Sequence, residues 1–358
     1  MSDKRRELEQ LRHELGHIDA QILAAVEQRI KVSKKIGDWR RVNQLQTAYS
    51  ESSPTSDLLA RAASADVPVE ALRRIFQEIV ATCIPLEEPT TVAFAGREGS
   101  SVHAIARSRF GVGSQYLACE SAAAALEEVT RRRASYAVVA YETQSDGLVQ
   151  GTLAALSASD LKIMACFETG CELALASTSP SPGEIKTVYA TSSDRAASER
   201  FLASKLPAIP VVEVTTVGVA CEKAAGEAGA AAVAETAILA ETGLRTVFAN
   251  VRDAGDERVR YAIVGTRPSG RSGKDLTAIV FAVNDSPGAL HEVLKQFAER
   301  GVNLTKVHSR PSPGEPWGYV FFLEAEGHAT DRAMVGALEE VRRRAKFFKV
   351  LGSYTTSS

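Results

Sequence analysis

The strongest constraint lies at the amino end. Between Lys4 and Arg41 there is no proline, and the only glycines are Gly16 and Gly37. Leu8, Leu11, Leu15, Ile18, Ile22, Ala25, Arg29, Val32, Ile36 and Trp39 recur at alternating three- and four-residue steps, a coiled-coil-like seam over four heptads. A helix of ~35 residues is about 50 Å long at ~1.5 Å per residue. Such a rod cannot bury its own stripe and must pack on other helices, those of a second subunit being the natural source. A second helical stretch is expected through Val69, Leu72, Ile75, Phe76, Ile79, Val80 and Cys83, with Pro68 near its start, where a missing N–H costs nothing. Pro54 cannot occupy a helix interior, so any middle helix starts at about Ser53–Pro54 and is short.

The rest of the 358 residues exceeds one ordinary domain. From about 90 to 265, TVAFAG reads as a strand ending in a glycine turn, HAIARSRF as a helix, and ALEEVTRRR as a helix leading into the strand YAVVAY. LKIMACF and TVYAT read as strands, and VVEVTTVGVA, AAVAET and VRYAIVG complete an alternating β/α order. That order predicts a mainly parallel sheet covered on both faces. The Gly-, Ser- and Pro-rich TRPSGRSGKD (266–275) marks a boundary. The remainder reads β-α-β-β-α-β, the ferredoxin-like α+β arrangement. A multidomain chain is therefore expected: an all-α helical domain at 1–88, an α/β domain at 90–265 and a ferredoxin-like domain at 276–355.

Composition removes several function classes. With 42 basic against 44 acidic side chains, there is no basic excess to suggest a nucleic-acid partner. No apolar run approaches the ~20 residues of a membrane span, and MSDKRRELEQ is not followed by a signal-peptide core. Five cysteines in no CxxC pattern read as thiols in a reducing cytoplasm, and six scattered histidines form no ligand cluster. No metal and no cofactor is expected.

Arg29 occupies a seam position where an aliphatic is expected. It either fixes register or snorkels outward, or it holds an anion inside a helical bundle. Arg40 lies eleven residues on, roughly 20° away around the helix at ~100° per residue, and Arg12 sits near the other end. Inward arginines without a nucleophile suit a reaction that needs a dianion held and charge stabilised.

At these residues the chain resembles a known family. LRHELGHIDAQILAAVEQRIKVSKKIGDWR resembles the first helix of the all-helical chorismate mutases. NDSPGALHEVLKQFAERGVNLTKVHSRP and the terminal VLGSY resemble the ACT pattern. From about residue 5 to 355 the chain is similar to the P-proteins, which fuse chorismate mutase, prephenate dehydratase and a phenylalanine-sensing ACT domain. The resemblance implies an all-α mutase-like domain, a two-lobed α/β dehydratase-like domain and an α+β ACT domain.

For the mutase part, the resemblance places Arg12, Arg29 and Arg40 as cationic ligands of the substrate carboxylates and ether oxygen, with Arg12 reaching into the partner subunit's site. Cys83 and Glu87 fall where Ser and Gln are common, and a Glu hydrogen-bonds an ether oxygen only when protonated. The family's middle-helix acid and Arg-Glu pair fall on Tyr49 or Glu51, then on Ser52–Ser53 or Pro54–Thr55. Weak mutase activity or none is expected.

In the dehydratase part, the family's Thr-Arg-Phe triplet appears as Val259, Arg260 and Tyr261. Valine has threonine's shape but no proton to give. The Pro-Ile-Glu-Asn loop appears as Ala140, Tyr141, Glu142 and Thr143, the Ser-His pair as Ala190 and Thr191, and the Ser-Thr-Ser stretch as Thr216, Val217 and Gly218. The glycine turn survives as Gly96, Gly99, Ser100 and Ser101. Its N–H groups suit a carboxylate, although such turns are also glycine-rich for steric reasons. Arg260 is read either as an anion ligand or as half of a surface pair.

In the ACT part, Gly288, Ala289 and Leu290 open a helix with free N–H groups, Asn303 and Leu304 begin a strand, and His308 replaces the family's Glu ahead of Ser309, Arg310 and Pro311. In the family these segments hold phenylalanine at an ACT–ACT interface; the alternative is a domain that merely dimerises. The resemblance thus implies chorismate, prephenate and L-phenylalanine as ligands, in a homodimer or homotetramer. It implies a phenylalanine-branch enzyme with both sites diverged. The alternatives are a non-catalytic phenylalanine sensor and a prephenate decarboxylase.

Overall fold

The proline-free stretch forms one helix, α1 (Ser2–Asn43), and the second apolar stretch forms α2 (Val69–Glu87). The computed structural model describes residues 2–43, 69–96, 98–144, 147–253, 257–311 and 319–357; the expected middle helix lies outside the described residues. Two compact units are present. The described part of the first is 2–43, 69–90 and 107–115, so the helical unit takes in a segment beyond the expected boundary at 88.

The face that α1 turns to α2 overlaps the seam read from the sequence at Arg29 and Ile36 and is centred beside it. Ser33 and Gly37 are buried, with Arg29, Ile30, Ile36 and Arg40 half-buried around them, whereas Val32 and Trp39 are 50% and 59% exposed. Gly37 explains the shift. A methyl group there would sit 2.5 Å from the carbonyl oxygen of Leu86 and 2.9 Å from that of Glu87. The helices therefore approach backbone to backbone at a point that neither valine nor tryptophan permits. Further along α1, Leu8, Leu11, Leu15, Ile18 and Ile22 remain between 44% and 60% exposed.

After α2 come β1 (Thr91–Ala95), α3 (Ser101–Phe110), β2 (Gln115–Cys119), α4 (Ala122–Thr130), β3 (Tyr136–Thr143), β4 (Gly147–Leu148), α5 (Gln150–Ala158) and β5 (Lys162–Cys171), all in the second unit except 107–115. The chain then enters a second lobe: β6 (Leu173–Ser177), β7 (Thr187–Ala190), α6 (Ser192–Ala197), α7 (Glu199–Lys205), β8 (Val211–Glu213), α8 (Val217–Gly226), β9 (Ala230–Glu235), α9 (Thr236–Thr242) and β10 (Arg245–Phe248). It returns through β11 (Glu257–Gly265). Neither sheet is mainly parallel, contrary to the alternation rule. β1 and β3 are parallel, but β11 runs antiparallel to both β3 and β5. In the second lobe β7 is parallel to β8 and β9, while β6 is antiparallel to β9 and β10. Here the returning strand β11 enters between β3 and β5 and runs opposite to both. VVEVTTVGVA likewise divides, into β8 and the start of α8, with Thr216 capping the helix.

The last segment is the expected ferredoxin-like fold: β12 (Asp275–Ala282), α10 (Ala289–Ala298), β13 (Leu304–Pro311), β14 (Tyr319–Glu326), α11 (Arg332–Arg344) and β15 (Phe347–Ser357). Its antiparallel order is β13-β14-β12-β15. It does not stand apart, because β15 continues alongside β5 and joins the two sheets into one. Ala278, Val280, Phe322, Leu351 and Tyr354 share a core with Tyr141, Leu153, Leu156 and Leu161. At Gly352 a methyl group would collide with the backbone of Ile163, so only glycine permits this crossing. Two lysines fasten the same seam. Lys162 donates to the carbonyl of Val350 at 2.6 Å, and Lys349 donates to Leu156 at 3.1 Å, Ser157 at 3.0 Å and also Ser159, closing the end of α5.

Replacing a helical glycine with alanine ordinarily gains about 0.5–1 kcal/mol. For Gly37→Ala the sign reverses: the methyl group meets backbone carbonyls, and a net loss of about 1–3 kcal/mol is expected. Urea denaturation of the two proteins measures the difference, and a stabilised variant contradicts the close helix approach.

Candidate functional site

Arg29 and Arg40 come from α1, and Cys83 and Glu87 from α2. Arg29 Nη1 donates to the carbonyl of Ile79 at 3.3 Å. Arg40 Nη1 lies 3.1 Å from Glu87 Oε2, and Ser33 Oγ donates to Glu87 Oε1 at 2.9 Å. Glu87 therefore faces a hydroxyl donor at one oxygen and a guanidinium at the other. Ser33 escaped the sequence reading, yet its signal was legible: a polar residue four positions after Arg29 shares its face. Cys83 is buried at 2% exposure. Arg12 is exposed and lies about 25 Å up the helix axis from Arg29, at ~1.5 Å per residue, so α1 does not bring it to the arginines of its own chain.

Strand β11 carries Val259, Arg260 and Tyr261, and its side chains alternate between faces. On one face is Val259, with Thr143 of β3 and Thr169 of β5 as register partners. Two hydroxyl residues thus flank the valine, each one strand spacing of about 4.8 Å away. Tyr261 follows on that face, stacked on Phe167 with centroids 5.9 Å apart. On the other face Arg260 has Glu142 and Glu168 as register partners, and Arg258 Nη1 lies 2.7 Å from Glu168 Oε1. Glu142, Thr143, Gln144, Gly147, Glu168, Arg258 and Arg260 line an open cleft of about 410 Å³.

Arg260 is also reached by the ferredoxin-like segment. Its Nη1 lies 3.1 Å from Glu142 Oε2 and 3.2 Å from Glu324 Oε2 on β14. Lys306 of β13 pairs with Glu142 and stands 3.3 Å from Glu324 Oε2. Tyr354 of β15 donates to Glu324 Oε1 at 2.7 Å, and Tyr141 hydrogen-bonds to Tyr354. Glu324 is 3% exposed, so its charge depends on these partners. Two acids and two bases balance, and removing one member strands a buried charge at a cost of about 3–5 kcal/mol. Burial opposes the charge on Arg260, but Glu324 and then Glu142 outweigh it and raise the guanidinium pKa above its ordinary value. Burial, then the neighbouring Tyr141, raises Tyr354 well above the usual phenol.

The glycine turn after β1 is arranged differently from expectation. Gly99 N–H donates to His103 Nδ1 at 3.0 Å, and His103 N–H is 3.4 Å from Ser100 Oγ. His103 stacks on Phe94 at 4.7 Å. The Gly99 N–H read as a carboxylate donor is thus spent on the protein itself. The ACT turn shows a similar departure: Gly288 is left-handed at φ 83°, and Ala289 N–H donates to Ser286 at 3.1 Å rather than standing free.

Along β13, Val307 and Ser309 take one face and Lys306, His308 and Arg310 the other. Arg310 Nε donates to His308 Nε2 at 2.9 Å, and its Nη2 donates to the carbonyl of Leu148. His308 therefore accepts at Nε2, as a neutral imidazole does. Burial, then the Arg310 charge, pushes its pKa below the usual histidine value, partly opposed by Glu142. His308 and Arg310 thus face the dehydratase-like sheet, away from Ser309. Asn303 is exposed, its carbonyl taken by Glu326 N–H, and Leu304 packs in the ferredoxin-like core. The candidates brought together are Glu142, Arg260, His308 and Arg310, with Lys306, Glu324 and Tyr354 added by the structure.

Family models match the chain in order: chorismate mutase type II at 11–88, prephenate dehydratase at 92–269 and ACT domain at 277–343. A bifunctional chorismate mutase/prephenate dehydratase of Aquifex aeolicus is 34% identical over 353 residues, 97% of this chain and 98% of that protein. The prephenate dehydratase of Arthrobacter aurescens, solved with L-Phe, superposes with a TM-score of 0.67 at 28% identity, covering 74% of this chain and 90% of that one. GqqA, described as a quorum-quenching acylase, superposes at 0.65 with 27% identity, over 75% and 98%, so the fold alone does not select one reaction. The order of the three domains, matched almost end to end in one relative, is the stronger sign: the chain belongs to the P-protein family, the fused chorismate mutases and prephenate dehydratases of phenylalanine biosynthesis.

Proposed function

We propose that this P-protein acts on chorismate and prephenate under phenylalanine control, with both reactions slowed by changes at the chemical steps. The observation that carries this reading is Val259. Dehydration and decarboxylation of prephenate need a proton delivered to the departing ring hydroxyl, and valine has none. Thr143 and Thr169 stand on the neighbouring strands, which displaces any hydroxyl by about a strand spacing of 4.8 Å. Misplacing a reacting group by even ~1 Å can cost about 10²-fold in rate. In the helical unit, Arg29 and Arg40 supply charge for a dianion, while Glu87 is held as an acceptor by Arg40 and Ser33. A second reading, loss of carbon dioxide with the ring hydroxyl retained, is favoured by the same valine.

Incubation with chorismate and with prephenate, with products identified by mass, separates the readings. Slow phenylpyruvate formation is expected, and Val259→Thr should raise its kcat at least tenfold, since a placed acid contributes typically ~10²–10⁴-fold. A product that keeps the hydroxyl favours the second reading, and an unchanged rate in the variant rejects Val259 as the cause. Arg29→Ala is expected to abolish conversion of chorismate; unchanged turnover would remove Arg29 from the site.

The ACT segment carries the phenylalanine response, and L-phenylalanine is expected to raise the melting temperature by mass action. His308 sets a pH limit on this segment. It faces Arg310 and Lys306, with Glu142 opposing, and its folded pKa lies below the ordinary 6.5. The unfolded chain therefore binds the extra proton more readily, so stability is complete above about 6.5 and declines as pH falls through the depressed value. Protonation also ends acceptance at Nε2 and places three cations on one strand face. Melting temperatures from pH 7.5 to 5 should fall more steeply for the wild type than for His308→Gln, and parallel curves would count against this role.

A further inference from the structure

We infer that Lys306 and Glu324, on the ACT strands, are positioning residues for Arg260 and Glu142 in the dehydratase-like cleft. The inference rests on the reading that the chain acts on prephenate, and it takes this cleft, which Thr143 beside Val259 also lines, as the place where prephenate is held. Arg260 lines the cleft, and both carboxylates that hold it, Glu142 at 3.1 Å and Glu324 at 3.2 Å, meet the single nitrogen Nη1. One edge of the guanidinium is thus anchored, and these two acids do not consume the other. A planar guanidinium held this way presents its second edge to a substrate carboxylate in a fixed direction. Glu324 can serve as the anchor because it is itself fixed by Tyr354 OH at 2.7 Å and by Lys306 Nζ at 3.3 Å. Lys306 also pairs with Glu142, so one ammonium ties the cleft acid to the ACT acid.

The same strand β13 carries His308 and Arg310, and Arg310 holds the carbonyl of Leu148 beside Gly147 of the cleft. The ACT strands therefore hold residues of the cleft wall, although the lining itself comes from the dehydratase-like strands. A displacement of β13 or β14 would be felt first at Arg260 and Glu142.

The test uses the full chain, with prephenate as ligand. Prephenate Kd by calorimetry and KM and kcat by product formation are measured for the wild type, Glu324→Gln, Lys306→Met and Lys306→Arg, with melting temperature as a check on folding. The expected result is a rise of at least tenfold in KM and Kd for Glu324→Gln and Lys306→Met, with kcat changed less than threefold. Lys306→Arg, which keeps the cation, is expected to lie within threefold of the wild type. A merely structural role would lower the melting temperature without this split between KM and kcat. If Glu324→Gln does not fold, the contrast between the two Lys306 variants decides. Wild-type binding of prephenate with unchanged Kd and KM in the folded variants overturns the positioning role alone. A wild type that neither binds nor converts prephenate overturns the reading of the cleft, and the positioning role with it.

Discussion

A carboxylate almost wholly removed from water cannot remain charged without cations at hand, and Glu324 has two, Arg260 and Lys306. Those cations are shared with Glu142, which makes four side chains from four strands into one interdependent unit. Each domain contributes one acid and one base, Glu142 with Arg260 and Glu324 with Lys306, and the pairs also cross from one domain to the other. The ferredoxin-like sheet is bound to the dehydratase-like sheet electrostatically as well as by apolar packing.

The backbone around this unit is arranged to hold it still. β15 runs beside β5 as a continuation of the sheet, and Gly352 allows the two backbones to meet. Lys349 satisfies carbonyls at the end of α5, and Lys162 reaches across to Val350. Burial lowers the pKa of both lysines, with mutual repulsion adding to the shift at Lys349. Such groups tolerate little rearrangement, since each would leave polar atoms unpaired if the sheets separated. The connection between the ACT strands and Arg260 is therefore a stiff one.

The order of helices and strands was readable where periodicity was strong. The long α1, the β-α-β-β-α-β tail and the strands around YAVVAY and VRYAIVG follow their patterns. The sequence misled where the decisive quantity was distance of approach. Gly37 is one small residue in a helix, yet it sets where α1 meets α2: Ser33 and Gly37 are buried there, beside the seam residues Arg29 and Ile36. Strand direction was also hidden, because alternation of β and α does not reveal that the chain leaves one lobe and returns. Arg260 and Glu142 were legible as charges, but their partner Glu324 was not. An acid among the apolar residues of YVFFLEAEG was its only trace, and only the pairing of β14 with β12 and β13 shows what it faces.

The cluster also bears on why Arg260 persists beside a valine that cannot donate a proton. An arginine used only for catalysis could drift once the acid beside it was lost. Here the guanidinium has a second task, since without it Glu324 and Glu142 would face each other across one remaining lysine. Arg260 is therefore held in place by the fold whatever side chain stands at 259. Val259 and Arg260 lie on opposite faces of β11, so residue 259 is not part of the charge cluster. A substitution at 259 can therefore leave the contact between Arg260 and the ferredoxin-like sheet intact.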